Sequence, residues 1–590
     1  MKDQLLNLLR EALPAVLAGS AVPAPATINI DATKDTKHGD FATNLALMLA
    51  KPLGKPPRAV AEAIIKALPA SPLVSKTEIA GPGFINFFLA HGAFQSVVPE
   101  ILKAKENYGR AAKGRGKVLV EFVSANPTGP LHVGHGRGAA YGDSLANILE
   151  AAGFEVYREY YINDAGRQTD ILALSVWLRY LELAGETLPF PGRAYPADYV
   201  KATAEKLKGG SGFMLKKSAE AVLEGIEPEP SLPDDATEKI EAEVKGKQEA
   251  YADALIARMK QLLGPLYETV LDFAIKDQLG QIRATLENFG VKFDRWASEK
   301  EVVNAGSVKH ALARLRESGR VYEKDGATWL HTEDLGDEKD RVLIKADGAA
   351  TYFCNDLAYH IDKLDRGWHT LLDVWGADHH GYIGRVRAAI EALTGRKDAL
   401  HVKLVQFVTL SSGRMGKRSG NFVTLDDLIT EAGRDETRFF YLLRGADQHL
   451  EFDIELARSK TNDNPVYYVQ YVVARVASVF RQAAERGVAW SAENSADNVA
   501  RLVEPQEKAL LTSLARYPQL LQDTAAQETP HSLVFYLREV ADAFHAWYNA
   551  HQFLVDDAAL RDARLSLVAA TGQVIRNGLG LLGVSAPDKM

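Results

Sequence analysis

The stretch Lys117–Asn147, KVLVEFVSANPTGPLHVGHGRGAAYGDSLAN, constrains this chain more than any other. Val118–Val123 is apolar and β-branched except for Glu121, the pattern of a strand buried in a parallel sheet. Asn126-Pro127-Thr128-Gly129-Pro130 cannot continue a strand. From Gly134, small and apolar residues recur at helical spacing through Ala139, Leu145, Ile148 and Leu149. Strand, turn and helix form the opening half of a nucleotide-binding βαβ unit. The turn carries His132-Val133-Gly134-His135. Two histidines three apart share one face at a helix start, where N-terminal amides favour phosphate. Gly134 has no Cβ and lets a base or ribose approach the backbone. Taken alone, the pair reads equally as two surface histidines at a helix cap. The GxGxxG fingerprint is missing from this turn, which argues against a dinucleotide enzyme.

A second stretch, Leu410–Asn421 (LSSGRMGKRSGN), is Gly/Ser-rich and cationic, a composition suited to anions. Alone it reads as a solvated basic loop. Together the two stretches resemble the signatures of class I aminoacyl-tRNA synthetases, HIGH at His132–His135 and KMSKS at Arg414–Arg418. Asn126 before the first, and Gly420-Asn421 after the second, look like the arginyl-tRNA synthetase branch. The loop departs from KMSKS, with Arg414 for the first Lys, Gly416 for the Ser and Arg418 for the last Ser. Its second Lys is kept as Lys417.

The 590 residues exceed one hydrophobic core and suggest three or four domains. A single cysteine, Cys354, excludes an internal disulfide and a zinc site built on several cysteines, and fits a reducing compartment. The run Ala12–Ala26 tempts a signal-peptide reading. Asp3, Arg10 and Glu11 stand where a basic region should be, and Leu5, Leu6, Leu8, Leu9 and Leu13 fit an amphipathic helix better. A cytoplasmic protein with no membrane span is expected. The net charge of −8, from 69 basic and 77 acidic residues, neither advertises nor excludes nucleic acid.

In chain order, residues 1–112 read as a separate α/β module. Helices are predicted at Leu5–Leu17 and Arg58–Leu68, and two strands in Glu78–Ala90 around Gly81-Pro82-Gly83. His38–Asn44 reads as a turn that caps the helix Leu45–Leu49. The resemblance implies an appended domain that contacts the outer corner of the tRNA, with Phe41 and Asn44 as candidate contacts. Residues 113–455 are expected to form a Rossmann-like catalytic domain, split by an insertion over about 170–335. Gly209–Gly212 and Glu227–Asp235 read as linkers within that insertion. Phe293–Arg341 reads as the part that packs back on the sheet, and Arg341–Ile344 as the strand that opens the second half of the fold. Further strands are predicted at Leu371–Trp375 and His401–Val408. Residues 456–590 read as an all-α bundle resembling the anticodon-binding domain of several class I synthetases. There Tyr467, Tyr468, Tyr471, Trp547, Tyr548 and His551 read as core residues or base-stacking platforms. Met590 resembles the family's ending near the anticodon. The fold class is thus multidomain α/β plus all-α.

The resemblance implies ATP-dependent attachment of L-arginine to tRNA(Arg) through an arginyl-adenylate, releasing AMP and pyrophosphate. It implies a monomer that needs bound tRNA for activation, with Mg²⁺ arriving on ATP and no zinc. His132, His135, Lys417 and Arg414 would stabilise the phosphates. Gly134, Gly376, Asp378, His379 and Met415 would complete the ATP site. Asn163, Asp164, Gly166 and Gln168 match a stretch at the rim of the site, and equally a plain loop-to-helix transition. A guanidinium substrate demands planar, bidentate acceptors. Glu121 and Asp356 are the candidates, with Tyr352 four residues before Asp356, Ser124 and Asp378 nearby, and Asn126 for the α-amino group. Asp378, His379 and His380 also read as a metal cluster, rejected because no further ligand is suggested. The rivals are another class I synthetase (cysteinyl, glutamyl or class I lysyl), a small nucleotidyltransferase with an HxGH turn, and a non-catalytic tRNA-binding paralogue.

Overall fold

A computed structural model describes residues 2–33, 36–233, 237–304, 306–411 and 423–590. The basic loop with Arg414, Met415, Lys417, Gly420 and Asn421 lies outside the described residues.

The centre is a five-stranded parallel sheet, ordered Leu400–Val405, Thr370–Gly376, Lys117–Glu121, Glu155–Ile162 and Arg295–Ser298 from edge to edge. Chain order reverses between Lys117–Glu121 and Thr370–Gly376, so a crevice opens beyond their carboxyl ends. Helix Val133–Ala151 follows the first strand as the sequence predicts. Arg295–Ser298 corrects one expectation: it is an edge strand of this sheet, not an insertion packed onto it.

Two segments interrupt the sheet. Helices Arg167–Leu183, Asp198–Ser211, Glu238–Leu263 and Leu266–Asn288 form a subdomain with its own apolar core around Trp177, Leu181 and Val270. Gly209, Gly210 and Ser211 are the last turn of a helix rather than a linker. After the edge strand, Val321–Lys324, Ala327–Leu330 and Arg341–Ile344 make a small antiparallel sheet. Arg341–Ile344 is therefore a strand, but not of the parallel sheet. The predicted strand His401–Val408 is two: Leu400–Val405 in the main sheet, and Val408–Leu410 paired with Leu450–Phe452.

The N-terminal module packs helices Lys2–Leu17, Leu45–Leu53 and Pro57–Ala67 on an antiparallel sheet ordered Ile30–Ala32, Phe41–Thr43, Phe84–Leu89, Val74–Ala80. The C-terminal bundle contains Pro465–Glu485, Pro505–Gln527, His531–Ala550 and Ala558–Leu581. Trp547 is fully buried between Phe544 and Phe553, so it is core and not a stacking platform. Tyr467 and Tyr471 are half-buried and stack on each other, at 5.8 Å between ring centres. Met590 is exposed, and Phe41 and Asn44 are half-buried.

Bundle and catalytic domain are tied by buried polar contacts. The Arg438 guanidinium donates to the Leu582 carbonyl at 2.9 Å, the Phe289 carbonyl at 3.0 Å and Asp143 at 2.5 Å. Tyr141, on the helix after the histidine turn, donates to the Glu528 carbonyl at 2.7 Å. The Glu528 carboxylate meets His401 at 2.5 Å and Lys403 at 2.7 Å on the sheet's edge strand. Among the described residues no helix is long and apolar enough to cross a membrane.

Gly142 lets the helix lie against the first strand. A Cβ there would stand 2.3–2.6 Å from the Phe122 side chain, whose ring packs 4.5 Å from Phe293. Gly142→Ala is expected to destabilise by ~1–3 kcal/mol through overpacking, read as a lower Tm by calorimetry with unchanged far-UV circular dichroism.

Candidate active site

A cavity of 580 Å³ opens at the crevice. Its walls include Glu121, Ser124, Asn126, His132, Gly134, His135, Asp356, Gly376, Asp378 and His379, which the sequence pointed to, and Tyr161, Tyr382 and Phe407, which it did not. Asn163 lines it too. Gln168 accepts from Asn126 Nδ2 at 2.7 Å, at the rim. Asp164 instead accepts from Ser298 and the Lys300 backbone, a structural role. Tyr352 is 87% exposed and absent from the walls, so the expected Tyr352/Asp356 pair does not face the cavity together. The Tyr beside Asp356 is Tyr382, whose phenol is pushed up by burial and then by the Asp356 carboxylate.

The histidine turn is built differently from the helix-dipole expectation. His132 caps the helix, and its Nδ1 accepts from Gly134 N at 3.1 Å and His135 N at 3.3 Å. His135 Nδ1 accepts from His132 N at 3.2 Å, a reciprocal capping box made of two imidazoles. The rings stack 3.6 Å apart. These first helix amides are therefore satisfied by the histidines and not offered to a phosphate. With each Nδ1 an acceptor, the proton sits on Nε2 and makes each ring a neutral donor. Burial lowers the His132 pKa, and burial with the neighbouring His132 takes His135 down to about 3. The turn is also laced to the chain beyond the basic loop: Val133 N donates to Val423 O at 3.3 Å, and Leu425 N to Leu131 O at 2.7 Å.

The other wall rests on the sheet. Glu159, Glu121 and Asp373 are register neighbours on three adjacent strands, all buried. Helix Tyr352–Asp365 covers them with Tyr359, His360 and Lys363. Tyr359 donates to Glu159 at 2.7 Å, as does Arg366 at 2.9 Å. Lys363 Nζ meets Glu121 Oε2 at 2.5 Å and Asp373 Oδ1 at 3.1 Å. His360 Nε2 meets Asp373 Oδ2 at 2.9 Å, and its Nδ1 meets the Asp356 carbonyl at 2.8 Å and carboxylate at 3.4 Å. Both ring nitrogens face acceptors, which requires an imidazolium. Asp356 Oδ2 is buried without a hydrogen-bond partner among the described residues. Three carboxylates, Glu121, Asp373 and Asp356, thus interleave with two cations, Lys363 and His360, and Glu299 stands close enough to Asp356 for their charges to repel.

Ser124 closes the cluster. Val123 and Ser124 follow the strand with φ of 69° and 40°, left-handed values that cost non-glycine residues about 1–3 kcal/mol each. That turn brings the Ser124 hydroxyl back to Glu121 Oε1 at 2.9 Å. Lys363, His360 and Asp373 were missed in the sequence. The signal was present: single acids inside the apolar strands TLLDVWG and KVLVE need buried partners, and Asp356, His360 and Lys363 share a helix face. Among the described residues no cluster of three His, Cys, Asp or Glu side chains is arranged to hold a metal.

Residues 3–89 match the family model for the arginyl tRNA synthetase N terminal domain. Residues 97–184 and 255–441 match the class I (R) tRNA synthetase catalytic domain. Residues 469–590 match the DALR anticodon binding domain. The chain is 52% identical to an arginine–tRNA ligase of Thioalkalivibrio sulfidiphilus, with 100% of each covered. It is 48% identical to one from Coxiella burnetii, covering 100% of this chain and 100% of that one. Among solved structures, Thermus thermophilus arginyl-tRNA synthetase aligns with TM-score 0.71 and 25% identity, over 99% of this chain and 100% of that one.

Burial pushes the His360 imidazole down, but Asp356 and Asp373, against Lys363, leave it raised to about 10. Its proton is held to about pH 10 folded and to about 6.5 unfolded. The stabilisation is therefore full below pH 6.5 and lost as pH rises towards 10. Burial also opposes the Asp373 charge, but Lys363 and His360 bring it to about 2, so its stabilisation is full above 3.8 and lost as pH falls towards 2. The urea midpoint is expected to fall at both ends, with the alkaline fall between pH 6.5 and 10 reduced in His360→Gln.

Proposed function

The chain belongs to the arginine–tRNA ligase family, class I synthetases that aminoacylate tRNA(Arg) in an ATP-dependent reaction, and from that premise we propose how its residues do so. The arginine carboxylate attacks the α-phosphorus of ATP and pyrophosphate leaves. A terminal ribose hydroxyl of the tRNA then takes the acyl group and AMP leaves. Neither step needs a protein nucleophile, so positioning and charge stabilisation carry the catalysis.

The observation that carries this reading is the buried Asp356 oxygen without a hydrogen-bond partner among the described residues, at the wall shared with Glu121. A guanidinium is a planar monocation that donates in pairs. The Asp356 oxygen without a partner and the Glu121 lone pairs not used by Lys363 and Ser124 accept it. Tyr382 takes the place expected of Tyr352. Asn126 holds the α-amino group, oriented by Gln168. Neutral or shorter amino acids leave the buried carboxylates unpaired and are rejected. The ring N–H groups of His132 and His135 donate to phosphate oxygens as charge develops. As neutral donors they do so without changing their own charge. Gly134, Gly376, Asp378 and His379 line the space for the nucleotide, which enters as its Mg²⁺ complex.

The roles of Lys417 and Arg414, holding the leaving pyrophosphate, and of Met415 at the nucleotide rest on the sequence motif alone. Phe41, Asn44, Tyr467, Tyr471 and Met590 remain the candidates for tRNA contact. A cytoplasmic monomer completes the reading, in keeping with the single, buried Cys354.

Charging of bulk tRNA with each of the twenty amino acids is expected to give attachment of arginine only. Attachment of a different amino acid would remove the roles of Glu121 and Asp356. Lys417→Ala is expected to abolish charging while tRNA binding, measured by filter retention, is kept. Unchanged charging would remove the role given to Lys417.

A further inference from the structure

The carboxylates proposed to meet the guanidinium do not stand alone. Glu121 has one oxygen on Lys363 and the other on Ser124. Asp356 has His360 at its carbonyl and beside its carboxylate. Lys363 and His360 both end on Asp373, one on each oxygen, at 3.1 Å and 2.9 Å. The side chains of Lys363 and Asp373 are fully buried, and neither residue lines the cavity. The contacts run unbroken as Asp356–His360–Asp373–Lys363–Glu121, behind the wall of the cavity that both end carboxylates line. Tyr359 borders the chain, its ring 4.4 Å from the Lys363 ammonium, and hands over to Glu159 and Arg366 on the far side.

We propose that Lys363, His360 and Asp373 are positioning residues for arginine recognition, holding Glu121 and Asp356 aimed as one unit. The inference rests on the assignment of those two carboxylates to the guanidinium. Its physical basis is that two buried carboxylates facing one cavity repel, and one takes up a proton unless cations are supplied. A proton on either would remove a bidentate acceptor and the charge that selects a guanidinium. Two cations placed directly against the substrate would prevent protonation but repel the substrate as well. Putting them behind the carboxylates, with Asp373 between them, offsets the repulsion without setting a cation against the substrate.

The test is steady-state tRNA charging by Lys363→Met, Glu121→Gln and the double variant. Lys363→Met is expected to raise the arginine KM roughly 30-fold, the lower end of the cost of truncating one partner of a buried charge pair. The ATP KM is expected to stay within about two-fold, because the nucleotide does not meet this cluster. Lys363 acts through Glu121, so the double variant should show the arginine KM of Glu121→Gln alone and not the product of the two effects. Multiplying effects, or ATP and arginine constants moving together, would mean a merely structural lysine and overturn the inference. An arginine KM untouched by Glu121→Gln would overturn the guanidinium assignment beneath it, whatever Lys363→Met does. Should Lys363→Met not fold, Asp373→Asn keeps the shape and removes the charge that both cations share. A raised arginine KM with unchanged ATP KM supports the proposal there, and an unchanged arginine KM sinks it.

Discussion

The structure depends on three carboxylates in register. Adjacent strands are about 4.8 Å apart, so Glu159, Glu121 and Asp373 form a buried row of like charge across the three central strands, with only Glu121 reaching the cavity. Such a row cannot stay ionised unpaired, and removing one partner of a buried pair costs about 3–5 kcal/mol. The helix Tyr352–Asp365 answers it from a single face, with Tyr359, His360 and Lys363 seated over the row and Arg366 just beyond its end. Where the sheet is most acidic it is also where chain order reverses and the crevice opens. The electrostatic demand of the core and the location of the site are thus the same fact.

On the opposite wall a different economy holds. The two histidines use Nδ1 to close the helix start, which leaves Nε2 as the protonated nitrogen of each neutral ring. Burial keeps both rings neutral, and stacked at 3.6 Å they would repel each other if both were charged. One wall of the cavity is therefore charged and acidic while the other is neutral and donating. That polarity suits a substrate pair with a cation at one end and phosphates at the other.

Much of this was legible in the residues. The strand–turn–helix at Lys117–Asn147 was, because a β-branched run, a proline turn and a small-residue helix leave few alternatives. The four-helix C-terminal bundle was also legible, from helical periodicity. The edge strand Arg295–Ser298 was not: four residues carry too little periodicity, and only pairing with Glu159–Ile162 defines them. Gly209–Ser211 misled because adjacent glycines weaken a helix without ending it when Val200, Ala204 and Leu207 bury the turns before them. Tyr352 and Asp356 share a helix face by spacing, and that the Tyr352 side chain stands exposed is something spacing alone does not tell. Trp547 was open between core and surface, and packing against Phe544 and Phe553 decided it. The capping by both histidines depends on ring orientation, which no spacing encodes.

The helix that carries Asp356, His360 and Lys363 sets one side of the site as a rigid comb. Its teeth are fixed by helical pitch, about 1.5 Å of rise per residue, against strands whose register is fixed by the ladder. A slide by one residue would not loosen one contact and spare the others: it would misalign every tooth together.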